Sequence, residues 1–128
     1  MIVGVGIDLV DVGRVEKAII RWDDRFLVKV FLPGEVEYCK RRPFPPRHFA
    51  SRFAAKEAFL KALGYGLFAG IALTDVEVFV REGGRPELRF YGRAAEVVEE
   101  RRVGAANLSL SHDGNYAAAL VVLEGRPV

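Results

Sequence analysis

The chain has 128 residues, 51% of them hydrophobic, and a formal net charge of +2 at pH 7. This length suits one domain with a single core, and the composition excludes a disordered chain. The longest apolar runs are too short to cross a membrane, and so small a charge argues against a nucleic-acid-binding protein. One cysteine, Cys39, excludes an intramolecular disulfide and favours a cytoplasmic location.

Basic residues are concentrated in the N-terminal half. Residues 12–56 carry eleven Lys and Arg against five Asp and Glu, whereas the rest of the chain carries eight against twelve. This asymmetry predicts an acidic partner or a polyanionic ligand on the basic half, with an ordinary solvated face as the alternative.

The chain is predicted to open with a strand over residues 1–10. The segment lacks the basic start of a signal peptide and contains Asp8, so we expect it to stay in the folded protein. Its alternation separates an apolar face from a small face, which are formed by Val3, Val5, Ile7 and Leu9 and by Gly4, Gly6 and Asp8.

Three helices are predicted to follow. Asp11 caps a helix over residues 12–22, and Pro33-Gly34 opens a short one through about Arg41. After the break RRPFPPRH, a long helix runs from about Pro46 to residue 63, and Gly64 ends it.

The second half alternates between strands and one helix. DVEVFV and PELRF form strands around the turn EGGRP, and GRAAEVVEERR forms a helix. NLSLSH and YAAALVVLE form two more strands, joined by the tight connection DGN. We therefore predict an α+β fold, a single domain over residues 1–128 with a mainly antiparallel sheet packed against the long central helix.

The long helix has a side built from alanine. On a wheel of about 3.6 residues per turn, one arc is aromatic and aliphatic and the other consists of Ala50, Ala54, Ala55, Ala58 and Ala62. Glu57 and Lys61 lie where the arcs meet. An alanine arc lets another backbone approach closely, and the glycine face of the first strand is its natural partner.

Packing of the alanine arc on the glycine face would bring Asp8 and Glu57 together. Two such carboxylates repel unless a cation lies between them, and oxygen ligands of this kind suit Mg²⁺. Lys61 would then hold a phosphate oxygen. The alternatives are an ordinary surface ion pair between Glu57 and Lys61 and a capping role for Asp8.

A basic row is predicted after Asp11. Provided that the helix reaches Arg25, Arg14, Lys17, Arg21 and Arg25 lie in line, with Ala18, Trp22 and Phe26 along the flank. Such a row suits an acidic amphipathic helix of a partner, and a solvated face is the alternative.

Four segments resemble the holo-acyl-carrier-protein synthases, which are the small phosphopantetheinyl transferases. They are GVGIDLVDVGRV, RFAAKEAFLKALGYG, GGRPEL and LSLSHDGNYAAALVV, in the order of the family. The resemblance implies transfer of 4′-phosphopantetheine from coenzyme A to a serine of apo-acyl carrier protein. It also implies Mg²⁺, release of adenosine 3′,5′-bisphosphate, a role in fatty acid biosynthesis and a homotrimer with coenzyme sites between subunits.

The same resemblance assigns roles to individual residues. Asp8 and Glu57 would be the metal ligands, and Lys61 would contact the pyrophosphate. The remaining substrate contacts would be Arg52 near the coenzyme phosphates, Gly84 and Pro86 of the GGRP turn near the adenine, and His112. The carrier protein would dock on Arg14, Arg21 and Arg25.

Several roles stay open at the level of sequence. Either Glu57 or a metal-bound water would accept the serine proton, and His112 contacts coenzyme A or closes the hairpin. His48 is expected at the surface. The competing functions are a Mg²⁺-dependent coenzyme A or nucleotide phosphohydrolase and a small nucleic-acid-binding module. GYGLFAG lacks the Lys-Ser/Thr of a nucleotide-binding Walker loop.

Overall fold

A computed structural model describes residues 1–64 and 70–127, so part of the GYGLFAG segment lies outside the described residues. The elements are, in chain order, β1 (Ile2–Asp11), α1 (Val12–Trp22), α2 (Asp24–Val30), α3 (Pro33–Lys40), α4 (Pro45–Leu63), β2 (Val76–Val80), β3 (Pro86–Phe90), α5 (Gly92–Glu100), β4 (Val103–Asp113) and β5 (Tyr116–Gly125). None of the helices in these two ranges has the length and hydropathy of a membrane span.

The strands form two antiparallel sheets. The larger one has the order β1-β5-β4, and β2 pairs with β3 as a separate hairpin. Helix α4 packs across β1 and β5 and supplies much of the core. The predicted α+β arrangement, with an antiparallel sheet against a long central helix, is therefore confirmed.

Most predicted helix ends agree with the structure. The Asp11 side chain caps α1 by accepting a hydrogen bond from the Gly13 N–H at 2.8 Å. Gly64 ends α4 with a φ of 77°, a left-handed conformation that costs glycine little.

Helix α2 was not predicted, and its presence corrects one expectation. Helix α1 ends at Trp22 because Asp23 has a φ of 44°, and its N–H bonds back to the carbonyl of Ile19. The chain changes direction there, and Arg25 belongs to α2. The basic row depended on one helix that reaches Arg25, and this condition is not met, whereas the predicted helix over residues 12–22 is confirmed.

The contact between β1 and α4 is so close that two of its positions exclude any side chain. A Cβ atom on Gly4 would lie 1.9 Å from the carbonyl oxygen of Ala62, and one on Gly6 would lie 1.9 Å from that of Ala58. Ala58 is fully buried, and Ala62 nearly so. The predicted packing of the alanine arc on the glycine face is confirmed.

The other face of β1 remains uncovered. Val5, Ile7 and Leu9 are 56%, 64% and 66% exposed, and Leu120 of the neighbouring strand extends the same apolar surface. A soluble monomer rarely leaves such a continuous apolar patch in water, so this face is suited to contact with another protein surface.

The central helix also contains a buried ion pair that the sequence reasoning missed. Lys56 Nζ donates a hydrogen bond to Glu35 Oε1 at 2.7 Å, and both residues are almost completely buried. Four backbone groups complete the pairing at 2.7–3.0 Å, namely the carbonyls of Val30 and Leu73 and the N–H groups of Leu32 and Val78. Burial lowers the pKa of Lys56, and the charge of Glu35 opposes that shift. The pair ties α3 and β2 to α4.

Gly6→Ala is expected to lower the free energy of unfolding by about 3 kcal/mol, because the new methyl group would overlap a backbone oxygen that no rotamer change moves. Urea denaturation measures the loss. Gly34→Ala is the control, since its nearest atom would be the Glu77 Oε2 at 3.9 Å. We expect that control to change stability by less than about 1 kcal/mol. Equal stability of the two variants would contradict the close packing of β1 on α4.

Candidate active site

Asp8 and Glu57 line the same cleft. Asp8 projects from the small face of β1, and Glu57 projects from α4, which crosses that face. The cleft has a volume of about 450 Å³ and is bounded on its other sides by α1 and by the rings of Phe26 and Phe53. The contacts of Gly4 and Gly6 with α4 hold the strand so close to the helix that Asp8 and Glu57 can line one cleft.

The two carboxylates influence one another electrostatically. Burial raises the pKa of Glu57, the negative charge of Asp8 raises it further, and Lys61 lowers it. No cluster of three or more His, Cys, Asp or Glu suited to a metal occurs in the described parts of the chain. Two carboxylates are nevertheless enough for Mg²⁺, because this cation takes few protein ligands and completes its shell with phosphate and water oxygens. A cation between them would also offset their mutual repulsion.

Lys61 lies beside Asp8. Its Nζ donates to Asp8 Oδ1 at 2.9 Å and to the carbonyl of Ile7 at 3.0 Å, and the side chain is 55% exposed. Among the described residues, no ion pair joins Lys61 to Glu57, so the alternative of a simple surface pair along the helix is wrong. An ammonium group has three donors, and these two bonds use two of them. Lys61 is not among the described residues that line the cleft, so it reaches the site only through Asp8.

Four residues expected to bind substrate lie together in a second cleft of about 350 Å³. Arg52 comes from α4, Gly84 comes from the β2–β3 turn, Pro86 begins β3, and His112 comes from β4. None of the described residues that line this cleft is acidic. The cleft is therefore suited to an anionic ligand with an apolar portion.

Arg52 is the most deeply placed group of the second cleft. It is only 3% exposed, and its Nε has no hydrogen-bond partner. Its guanidinium lies over the ring of Tyr38, with Cζ 4.1 Å from the ring centroid. The sequence reasoning missed Tyr38, because neither its residue type nor its spacing indicated a role. His48, expected at the surface, is instead half-buried beside Tyr38.

The two clefts have no residue in common. Arg52 and Glu57 are five residues apart on one helix, which turns their side chains about 140° away from each other. The carboxylate cleft lies beside β1, and the second cleft lies beside β4, at the opposite edge of the sheet.

The expected partner surface adjoins the carboxylate cleft. Arg14 lines that cleft, and Arg14 and Arg21 are exposed on α1. The Trp22 ring is contacted by the guanidiniums of Arg21 and Arg25, whose Cζ atoms lie 4.9 and 5.7 Å from its centroid. Arg25 thus joins the same surface although it lies on α2.

Comparisons with known proteins point to one family. The family model described as the 4′-phosphopantetheinyl transferase superfamily matches residues 4–121. A holo-[acyl-carrier-protein] synthase of Syntrophus aciditrophicus is 53% identical over 125 residues, which cover 98% of each chain. One of Geobacter sp. strain M21 is 48% identical over 97% of this chain and 99% of its own length.

Solved structures agree with the sequence comparisons. The crystal structure of the Neisseria meningitidis synthase matches with a TM-score of 0.89 at 29% identity, over 97% of this chain and 99% of that one. That of Helicobacter pylori, in complex with coenzyme A, matches with a TM-score of 0.83 at 29% identity, over 94% and 99%. By family match, identity and fold, the chain belongs to the 4′-phosphopantetheinyl transferase superfamily, among its holo-[acyl-carrier-protein] synthases.

Proposed function

We propose that the chain transfers 4′-phosphopantetheine from coenzyme A to a serine of apo-acyl carrier protein, in a Mg²⁺-dependent reaction that supports fatty acid biosynthesis. The observation that carries the proposal is the meeting of Asp8 and Glu57 in one cleft. The names of the curated relatives support the reaction, and the relatives of Helicobacter pylori and Bacillus anthracis were crystallised with the coenzyme. A cytoplasmic location and a single domain over residues 1–128 stay predictions.

Asp8 and Glu57 would hold the metal ion. Its charge, when bound, would neutralise oxygens of the coenzyme pyrophosphate. Lys61 pairs with Asp8, while burial and the charge of Asp8 raise the pKa of Glu57 despite the opposing charge of Lys61. A bound cation would relieve this unfavourable environment of the Glu57 carboxylate.

The transfer is a displacement at phosphorus. The serine oxygen of the carrier protein bonds to the phosphorus that bears pantetheine, and the bond from that phosphorus to the bridging oxygen breaks. Adenosine 3′,5′-bisphosphate leaves with that oxygen, while the serine proton passes to a base in the cleft. Lys61, which lies beside Asp8, would stabilise the negative charge that develops on the departing phosphate.

The rest of the coenzyme would occupy the second cleft. Arg52 would contact a phosphate, Gly84 and Pro86 would lie near the adenine, and His112 would contact phosphate or ribose. The clustering of these four residues without any acidic neighbour in the lining supports this assignment.

We further propose a homotrimer whose complete sites form between subunits. The two clefts of one chain lie at opposite edges of the sheet, so a neighbouring copy would complete each site. The uncovered apolar face of β1 supplies the kind of surface that such an assembly buries.

The first test follows the mass of an apo-acyl carrier protein incubated with the chain, coenzyme A and Mg²⁺. We expect a phosphopantetheine adduct, and a rate that falls about 100-fold in Asp8→Asn and in Glu57→Gln, because each loses a metal ligand. Glu96→Gln, an exposed carboxylate on α5, is the control and keeps the rate. Hydrolysed coenzyme with an unmodified carrier would instead indicate a phosphohydrolase.

The shared site is tested by mixing two inactive variants. Glu57→Gln and Arg52→Gln, co-expressed with different tags, should recover about one third of wild-type activity, because each mixed trimer has one of its three sites with both intact halves. Mixed oligomers are purified through both tags before the assay. If both residues served the site from the same subunit, the mixture would stay inactive.

The docking surface is tested by charge reversal. Arg14→Glu with Arg21→Glu is expected to raise the KM for the carrier protein about tenfold or more and to leave coenzyme affinity nearly unchanged, because the carrier is acidic. Lys40→Glu with Arg102→Glu reverses two exposed charges elsewhere and controls for net charge. Equal loss of both affinities in the α1 variant would indicate a folding defect, and equal effects of the two pairs would remove α1 as the docking site.

A further inference from the structure

Positive charge accumulates around Tyr38 without neutralisation. Arg42 and Arg52 lie over its ring, Arg47 acts with them on the neighbouring His48, and none of the three has an ion pair with a carboxylate among the described residues. His48 packs edge-on against the Tyr38 ring, at a centroid distance of 6.5 Å. Burial lowers the pKa of His48, and the three arginines lower it further, which confirms that their charges converge there. An anionic ligand is the expected complement.

The Tyr38 ring lies between two of these cations. The Cζ atoms of Arg42 and Arg52 are 3.8 and 4.1 Å from the ring centroid. Two guanidinium groups do not fit over one ring face at such distances, so each takes its own face. The ring thereby attracts both cations through its negative π-faces and separates them from one another.

Arg52 needs such support because the protein offers it little else. Its side chain is 3% exposed, its Nε lacks a hydrogen-bond partner, and it lines the second cleft beside Ser51 and His112. A buried guanidinium without a carboxylate is costly, and its donors suit a phosphate group that enters the cleft.

The position of Tyr38 is itself fixed by the buried ion pair. Glu35 lies one turn before Tyr38 on α3, and its partner Lys56 lies one turn after Arg52 on α4. The two helices are therefore joined by two contacts in register, one ionic and one between cation and ring. This arrangement leaves the aromatic ring little freedom to move away from Arg52.

We propose that Tyr38 is a positioning residue for coenzyme binding, whose ring holds the Arg52 guanidinium in the orientation that receives a phosphate group of the coenzyme. The inference rests on the proposed function. Tyr38 itself need not touch the coenzyme, because it acts through Arg52, and Arg42 fixes the ring from its other face. A purely structural tyrosine, by contrast, would be replaceable by any apolar side chain of similar volume.

The test compares one aromatic with two aliphatic replacements. Calorimetry measures the Kd of coenzyme A for wild type and for Tyr38→Phe, Tyr38→Leu and Tyr38→Met. We expect Phe to keep the Kd within about twofold and the aliphatic variants to weaken it about tenfold, because only a ring provides the π-face. Dephospho-coenzyme A, which lacks the 3′-phosphate, serves as a second ligand and shows which phosphate Arg52 receives. If Arg52 receives the 3′-phosphate, the aliphatic variants bind dephospho-coenzyme A as tightly as wild type does, and if it receives another phosphate, they bind it more weakly.

Three further measurements separate positioning from folding. Thermal melting shows whether each variant is folded. Two different aliphatic replacements are used so that a folding defect in one of them leaves the other for the comparison. The KM for the carrier protein should stay unchanged, since Arg14, Arg21 and Arg25 are not among the described residues that line the cleft with Tyr38. In an Arg52→Lys background, Tyr38→Leu should weaken binding by less than about twofold, because the ring then has no guanidinium to position.

Two outcomes would overturn the proposal. Well-folded aliphatic variants with the wild-type Kd would show that the ring is dispensable, and a full tenfold loss in the Arg52→Lys background would show that Tyr38 does not act through Arg52. Wild-type protein that binds no coenzyme A would instead contradict the proposed function, so the two failures are distinguishable.

Discussion

The close approach of β1 to α4 is the constraint on which the candidate active site depends. Gly4 and Gly6 present bare backbone to the carbonyls of Ala62 and Ala58, and a methyl group at either glycine would collide with them. The helix therefore lies directly on the strand, and Asp8, the next residue on that face, comes beside Glu57. The electrostatic repulsion between the carboxylates is an unfavourable term that the large buried contact outweighs. Close packing thus brings two like charges together, and the proposed metal site depends on that approach.

The same contact explains why the apolar side of β1 faces outward. A strand has two faces, and the small one must meet α4, so Val5, Ile7 and Leu9 have no place in the core of the single chain. Their hydrophobicity is useful only if another surface covers them. An arrangement of subunits would satisfy this face and would also bring the two clefts of neighbouring copies together. The packing of β1 therefore bears on both the proposed metal site and the proposed assembly.

Sequence reasoning identified what depends on local periodicity and missed what depends on tertiary contacts. The alternation of β1 and the alanine arc of α4 predicted their contact, because both patterns are read from single elements. The carboxylates followed from that contact. The role of Lys56 could not be predicted because its partner, Glu35, lies 21 residues away and meets it only when α3 packs on α4. Helix α2 was missed because the break at Asp23 depends on a backbone conformation that the residue type permits but does not require.

Four charged residues of α4 form two rows that face different parts of the protein. Arg52 and Lys56 are four residues apart and face α3, where one meets Tyr38 and the other meets Glu35. Glu57 and Lys61 are also four residues apart and face β1 and the carboxylate cleft. Since a helix is rigid over this length, a shift of α4 against α3 is transmitted to the cleft beside β1. The buried ion pair that holds α3 to α4 therefore influences the geometry of both clefts, although it lines neither.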